Sequence, residues 1–182
     1  MIIPVDYPAL WGTDRDRQNA AYESLMAETR NPVPWAADVW DDVVLHLEDG
    51  DNHNRAIAAQ LLCNLAATDP GGRIFGADLD ALLQVTRDPR TVTARHSLKS
   101  LWRIGLAGEP SRRRLLDVLA QRYRDTFDAA EKHPTLVRGD LAETLRLLHD
   151  ATGDDAVREL AQQLIASEPD EKYRKKYAKF WK

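Results

Sequence analysis

Arg95, Lys99 and Arg103 stand four residues apart. On an α-helix that spacing lines three cations along one face, with Leu98, Leu101 and Ile104 turned the other way. Like charges in a row repel. Such a ridge is either neutralised in solvent by nearby carboxylates or available to an acidic protein surface or a phosphate backbone. His96 and Trp102 border the ridge, and Arg138 joins them as a candidate later in the chain. These six residues are the candidate partner-binding set.

A second constellation lies at the end of the sequence. Lys172, Arg174, Lys175, Lys176, Lys179 and Lys182 alternate with Tyr173, Tyr177, Phe180 and Trp181. Read as a helix, the four aromatics fall on one stripe and the segment is basic and amphipathic. Membrane-surface, nucleic-acid and partner-groove roles are all open to it, as is that of a cap covering the apolar face of a last repeat.

Catalytic signatures are missing. There is no glycine-rich phosphate loop, His-Glu-x-x-His or Gly-x-Ser-x-Gly, and the acidic run Glu48 to His53 lacks the spacing of a calcium loop. The five histidines form no i, i+4 pair suited to a metal, and Cys63 sits in an apolar run where a buried, inert thiol is expected. The expectation is a protein without enzyme activity, cofactor or metal.

These side chains need elements to position them. The chain has 182 residues, 43% hydrophobic, enough for one domain with a real core. A single cysteine fits a reducing compartment, taken as the cytoplasm. The start, Met1 to Tyr7, lacks the form of a signal peptide, and the longest uncharged apolar stretch, Ala56 to Thr68, is too short to span a bilayer. A net charge of −4 argues against a generic nucleic-acid binder, yet the charge is patterned. Asp38, Asp41, Asp42, Glu48, Asp49 and Asp51 lie in a stretch without Lys or Arg, whereas Arg90, Arg95, Lys99, Arg103, Arg112, Arg113 and Arg114 are opposed only by Glu109.

Apolar residues recur three and four apart almost throughout, and no stretch alternates with period two, so helices are expected everywhere. Breakers at Gly50, Pro70 to Gly72, Pro89, Gly105 to Pro110, Pro134, Gly153 and Pro169 mark turns. Helices are expected at about 15–30, 34–48, 52–67, 77–87, 91–105, 111–131, 135–151, 154–167 and 170–181, with caps at Asp51 or Asn52, Asp78, Ser111, and Asp154 or Asp155. Arg55, Ala58, Leu62 and Leu65 align with Arg138, Leu141, Leu145 and Leu148, and Ala94, Ser97, Leu101 and Ile104 fall between. The offsets, 94 − 55 = 39 and 138 − 94 = 44, are the size of a helix-pair repeat.

Thr135-Leu136-Val137-Arg138 with its following apolar stripe resembles the second helix of a HEAT repeat. Thr91 to His96 leading to Leu101-Trp102, and the tail Lys172 to Trp181, resemble a group of small HEAT-like proteins of uncharacterised activity, over most of the chain from about Asn19. The resemblance implies an all-α fold: a right-handed α-solenoid, or alpha-alpha superhelix, of HEAT/ARM-like helical hairpins. It would form a single domain over 1–182, with 170–182 as a basic amphipathic capping helix. Such a scaffold binds another macromolecule, here most readily a protein, and an acidic one suits the ridge. Nucleic acid is the alternative. Alkylpurine DNA glycosylases share this architecture and place a catalytic aspartate one helical turn from a tryptophan. The residues four beyond Trp11, Trp35, Trp40 and Trp102 are Arg15, Val39, Val44 and Leu106, so that pairing is absent.

Overall fold

A computed structural model describes residues 3–182. Met1 and Ile2, part of the N-terminal stretch read above, lie outside the described residues. The fold is all-α, with no strand among the described residues. The chain divides into two compact units, Met1–Ser97 and Leu98–Lys182.

The first unit opens with a 3-10 turn at Tyr7–Trp11, followed by α1 (Arg15–Glu28), α2 (Ala36–Leu45) with a 3-10 extension at His46–Glu48, and α3 (Asn52–Ala67). A 3-10 turn at Arg73–Phe75, α4 (Asp78–Val85) and α5 (Thr91–Leu98), whose last residue belongs to the second unit, complete it. The almost uncharged run in α3 has a physical consequence. A helix that is apolar nearly all round must be covered on several sides, and α3 packs against α1, α2 and α4, with Ala58, Leu62, Cys63 and Asn64 fully buried.

The second unit contains a 3-10 segment at Leu101–Ala107, α6 (Glu109–Asp125), α7 (Pro134–Thr152), α8 (Asp155–Ala166), α9 (Glu171–Ala178) and a closing 3-10 turn at Lys179–Trp181. Here α7 is the central helix, touching the 3-10 segment, α6, α8 and α9. Gly153, in the left-handed region at φ 65°, ends it by donating its amide to His149 O at 2.7 Å.

Asp51 and Asp154 cap α3 and α8 as expected, and Asp14 and Asp170 cap α1 and α9 in the same way. Asp78 and Ser111 are not caps: each lies within its helix, behind Ala77 and Gly108. The expected helix over 91–105 is also corrected. α5 stops at Leu98, and the chain resumes as a 3-10 segment at Leu101. Three residues per turn put Leu101 and Ile104 on one buried side. Gly105 then lies so close to α7 that a Cβ would stand 2.8 Å from Leu148 Cδ1.

Candidate functional site

One polar arrangement recurs four times. A carboxylate at or just before the start of a helix accepts a backbone amide two residues ahead with one oxygen. With the other it accepts an arginine from the beginning of an earlier helix. Asp51 takes His53 N at 2.7 Å and Arg15 Nη2 at 2.5 Å; Asp88 takes Arg90 N at 2.8 Å and Arg55 Nε at 2.6 Å. In the second unit Asp154 takes Ala156 N at 3.0 Å and Arg112 Nε at 2.6 Å, and Glu168 takes Asp170 N at 3.2 Å and Arg138 Nε at 2.6 Å. The partners of these clasps are 36, 33, 42 and 30 residues apart. The chemistry is economical. A guanidinium near a helix N-terminus faces the positive end of the dipole, and a carboxylate that already favours its own helix N-terminus neutralises it.

The clasps account for Arg138, which sequence reasoning placed on a binding face. Its side chain is only 7% exposed, against a Glu168 that is 1% exposed. Its guanidinium also lies 4.5 Å from the Phe127 ring centre and donates to Thr126 Oγ1 at 3.0 Å. Arg138 is an interior residue. Tyr123 and Tyr177 beside it keep their protons: burial first, then the Glu168 charge, pushes Tyr123 up to about 12 and Tyr177 higher.

The rest of the expected ridge does not form on one helix. Arg95 and His96 belong to α5 in the first unit, whereas Lys99, Trp102 and Arg103 follow its end and belong to the second. Lys99 binds Glu143 Oε2 at 2.5 Å, with Asp140 Oδ1 at 3.9 Å, so its charge is met by α7. Trp102 is half-buried, with the Arg103 guanidinium 5.2 Å from its ring centre.

The tail is different. Tyr177 is fully buried on Ala142 and Ile165 and donates its hydroxyl to Thr135 O at 2.5 Å. Gly139 makes room for it, since a Cβ there would meet Tyr177 Cε1 at 3.1 Å. Trp181 Nε1 donates to Ala142 O at 3.2 Å, and Tyr173 and Phe180 pack on the same cluster. With the aromatics turned in, the cations are left outside. Lys172, Lys175, Lys176, Lys179 and Lys182 are exposed at positions i, i+3, i+4, i+7 and i+10, a row about 15 Å long. Lys175 pairs with Glu171 at 2.6 Å, and Lys176, Lys179 and Lys182 have no carboxylate partner among the described residues. The sequence carried this row, but only the burial of the aromatics fixes which side it takes.

The first unit holds the opposite charge. Its α2 exposes Asp38, Asp41 and Asp42, followed by Leu45 and Glu48. Asp42 accepts the Tyr7 hydroxyl at 2.7 Å, and Trp11 stacks on His46 at 3.8 Å, which fastens the N-terminal 3-10 turn onto α2 and its extension. His46 Nδ1 lies 2.9 Å from Asp49 Oδ2. Across Met1–Ser97 there are 15 acidic and 8 basic residues, net −7; across Leu98–Lys182 there are 14 acidic and 17 basic, net +3.

Among the described residues, no group of three or more His, Cys, Asp or Glu is placed to hold a metal ion, and no helix is long and apolar enough to cross a membrane. No family model, no curated protein and no solved structure matches the chain.

Proposed function

We propose that the chain is a non-catalytic helical-repeat scaffold of HEAT-like hairpins that binds an acidic protein surface through the lysine row on α9. The scaffold part is supported by the four clasps and by packing in the second unit, where α6 and α7 each touch the next helix and the one after it, as α2 does in the first. Nearest-neighbour contacts of that kind are how stacked hairpins bury their apolar faces.

The observation that carries the binding part is the sidedness of α9: its aromatics are spent on the core, and its outer face is left as a row of lysines with few carboxylates. Lysine is a flexible point charge that suits scattered carboxylates on a protein better than planar, bidentate recognition. Base stacking is not available from Tyr177, which is buried, and the net charge of −4 works against long-range attraction of nucleic acid.

The test is fluorescence anisotropy with a labelled helical peptide carrying Glu at i, i+3, i+4 and i+7, at low salt. The wild-type chain binds it, and the triple variant Lys172→Glu, Lys176→Glu, Lys179→Glu binds about tenfold more weakly. Absence of peptide binding at low salt ends this reading, and tighter binding of duplex DNA than of the peptide turns it toward nucleic acid.

A further inference from the structure

We infer that the acidic surface taken by the lysine row is α2 of a second copy of this chain. The inference rests on the reading of α9 as a protein-binding face and adds the identity of its partner.

Asp38, Asp41, Asp42, Leu45 and Glu48 follow the pattern i, i+3, i+4, i+7, i+10, and so do Lys172, Lys175, Lys176, Lys179 and Lys182. Both sets are exposed; within the chain Asp41 meets Arg73, Asp42 meets Tyr7 and Lys175 meets Glu171. Among the described residues Asp38 and Glu48 have no cationic partner, matching Lys179 and Lys182 at the other row. Each row ends in a 3-10 turn, at His46–Glu48 and at Lys179–Trp181, so the rows are also alike in length and twist.

Laid antiparallel in one register, the rows put Glu48 against Lys172, Asp41 against Lys179 and Asp38 against Lys182. Leu45 then falls opposite Lys175. Leu45 is 73% exposed, an apolar side chain in the middle of an acidic row. The methylene stem of Lys175 covers it while the ammonium stays in water. Charge complementarity of this kind chooses the partner and the register, and gives an association that weakens as salt rises.

Sedimentation velocity on the full chain tests the inference. At low salt the wild type self-associates, and at about 1 M salt, where the screening length is about 3 Å, it sediments as a monomer. Asp38→Lys with Glu48→Lys, and separately Lys172→Glu with Lys182→Glu, each weaken self-association about tenfold, while thermal melts stay at the wild-type value because all four positions are exposed. Combining the four substitutions in one chain restores the salt-sensitive association. A wild type that is monomeric at low salt overturns the inference, as does an association that the combined variant does not recover. A monomer that still binds the acidic peptide removes the second copy as partner and leaves the α9 face standing; loss of both removes the two readings together.

Discussion

Two of the clasps, one from each unit, lie at very different depths. In the first, Arg15 and Asp51 are 46% and 35% exposed; in the second, Arg138 and Glu168 are 7% and 1% exposed. Geometry is nearly constant, at 2.5 and 2.6 Å, so the difference lies in the surroundings. Water screens the first pair and supplies substitutes when it breaks. The second has no substitute, and a lone charge left there would be stranded among Phe127, Thr126 and the two buried tyrosines. A repeated motif therefore carries repeated geometry but not repeated energy.

Removing one arginine from each of these two clasps should give the largest difference. Arg138→Ala is expected to destabilise by about 3–5 kcal/mol, because Glu168 becomes a buried unpaired charge. Arg15→Ala is expected to cost about 1 kcal/mol or less. Urea unfolding of the two variants checks this, and equal losses would mean that burial does not grade the clasps.

Glycines offer a second contrast. Gly105→Ala drives a Cβ to 2.8 Å from Leu148 Cδ1 and 3.2 Å from Leu115 Cδ2 in the second unit, an overpacking worth about 1–3 kcal/mol. Gly50→Ala in the first unit meets nothing within 4 Å and should leave the melting temperature nearly unchanged.

Acid should affect the first unit more. The hydrogen bond from Arg15 holds Asp51 below the usual carboxylate range. Burial alone would raise Asp88 and Asp49, but Arg55 and the Arg90 amide outweigh it at Asp88, and the Asp51 amide, His46 and Asn54 do so at Asp49. In the second unit Arg112 holds Asp154 down. A folded value below the unfolded one gives stability that is present above the unfolded pKa and is lost as pH falls through the folded one. The loss therefore begins below about pH 4. Hydrogen exchange should show residues 1–97 losing protection before 98–182 on acidification, and the reverse order would contradict the assignment of these three aspartates.

The smallest expected effects are at the caps. Asp14→Ala and Asp170→Ala each remove a side chain that accepts first-turn amides, at a cost of about 1 kcal/mol. Similar values in the two units would show that capping, unlike the clasps, is indifferent to the charge and depth of its unit.

The helices were legible because their determinants are local. The 3.6-residue period, the breakers at Gly50, Pro134 and Gly153, and the caps Asp51 and Asp154 act within a few residues, and the observed helices follow the expected ones except that 91–105 ends at Leu98 and 111–131 at Asp125. The alignment of Arg55 with Arg138 also found two equivalent positions, though not their role. Each donates to a carboxylate 33 or 30 residues onward, a separation that no local pattern reports. A search for an arginine in one helix start and an acid at the start of a later helix would have found the signal.

The sequence by itself determined that this chain is helical, where most helices begin and end, and that its tail is both basic and aromatic. Packing between distant helices fixed which charges stay exposed. Arg138 and Lys99 were consumed by Glu168 and Glu143, the ridge through Arg95 and Arg103 was interrupted when the helix ended at Leu98, and the aromatics of α9 were drawn onto Ala142 and Ile165. Helix formation depends on neighbours in the chain. The exposure of a charge depends on what packs over it, and those residues are distant in sequence.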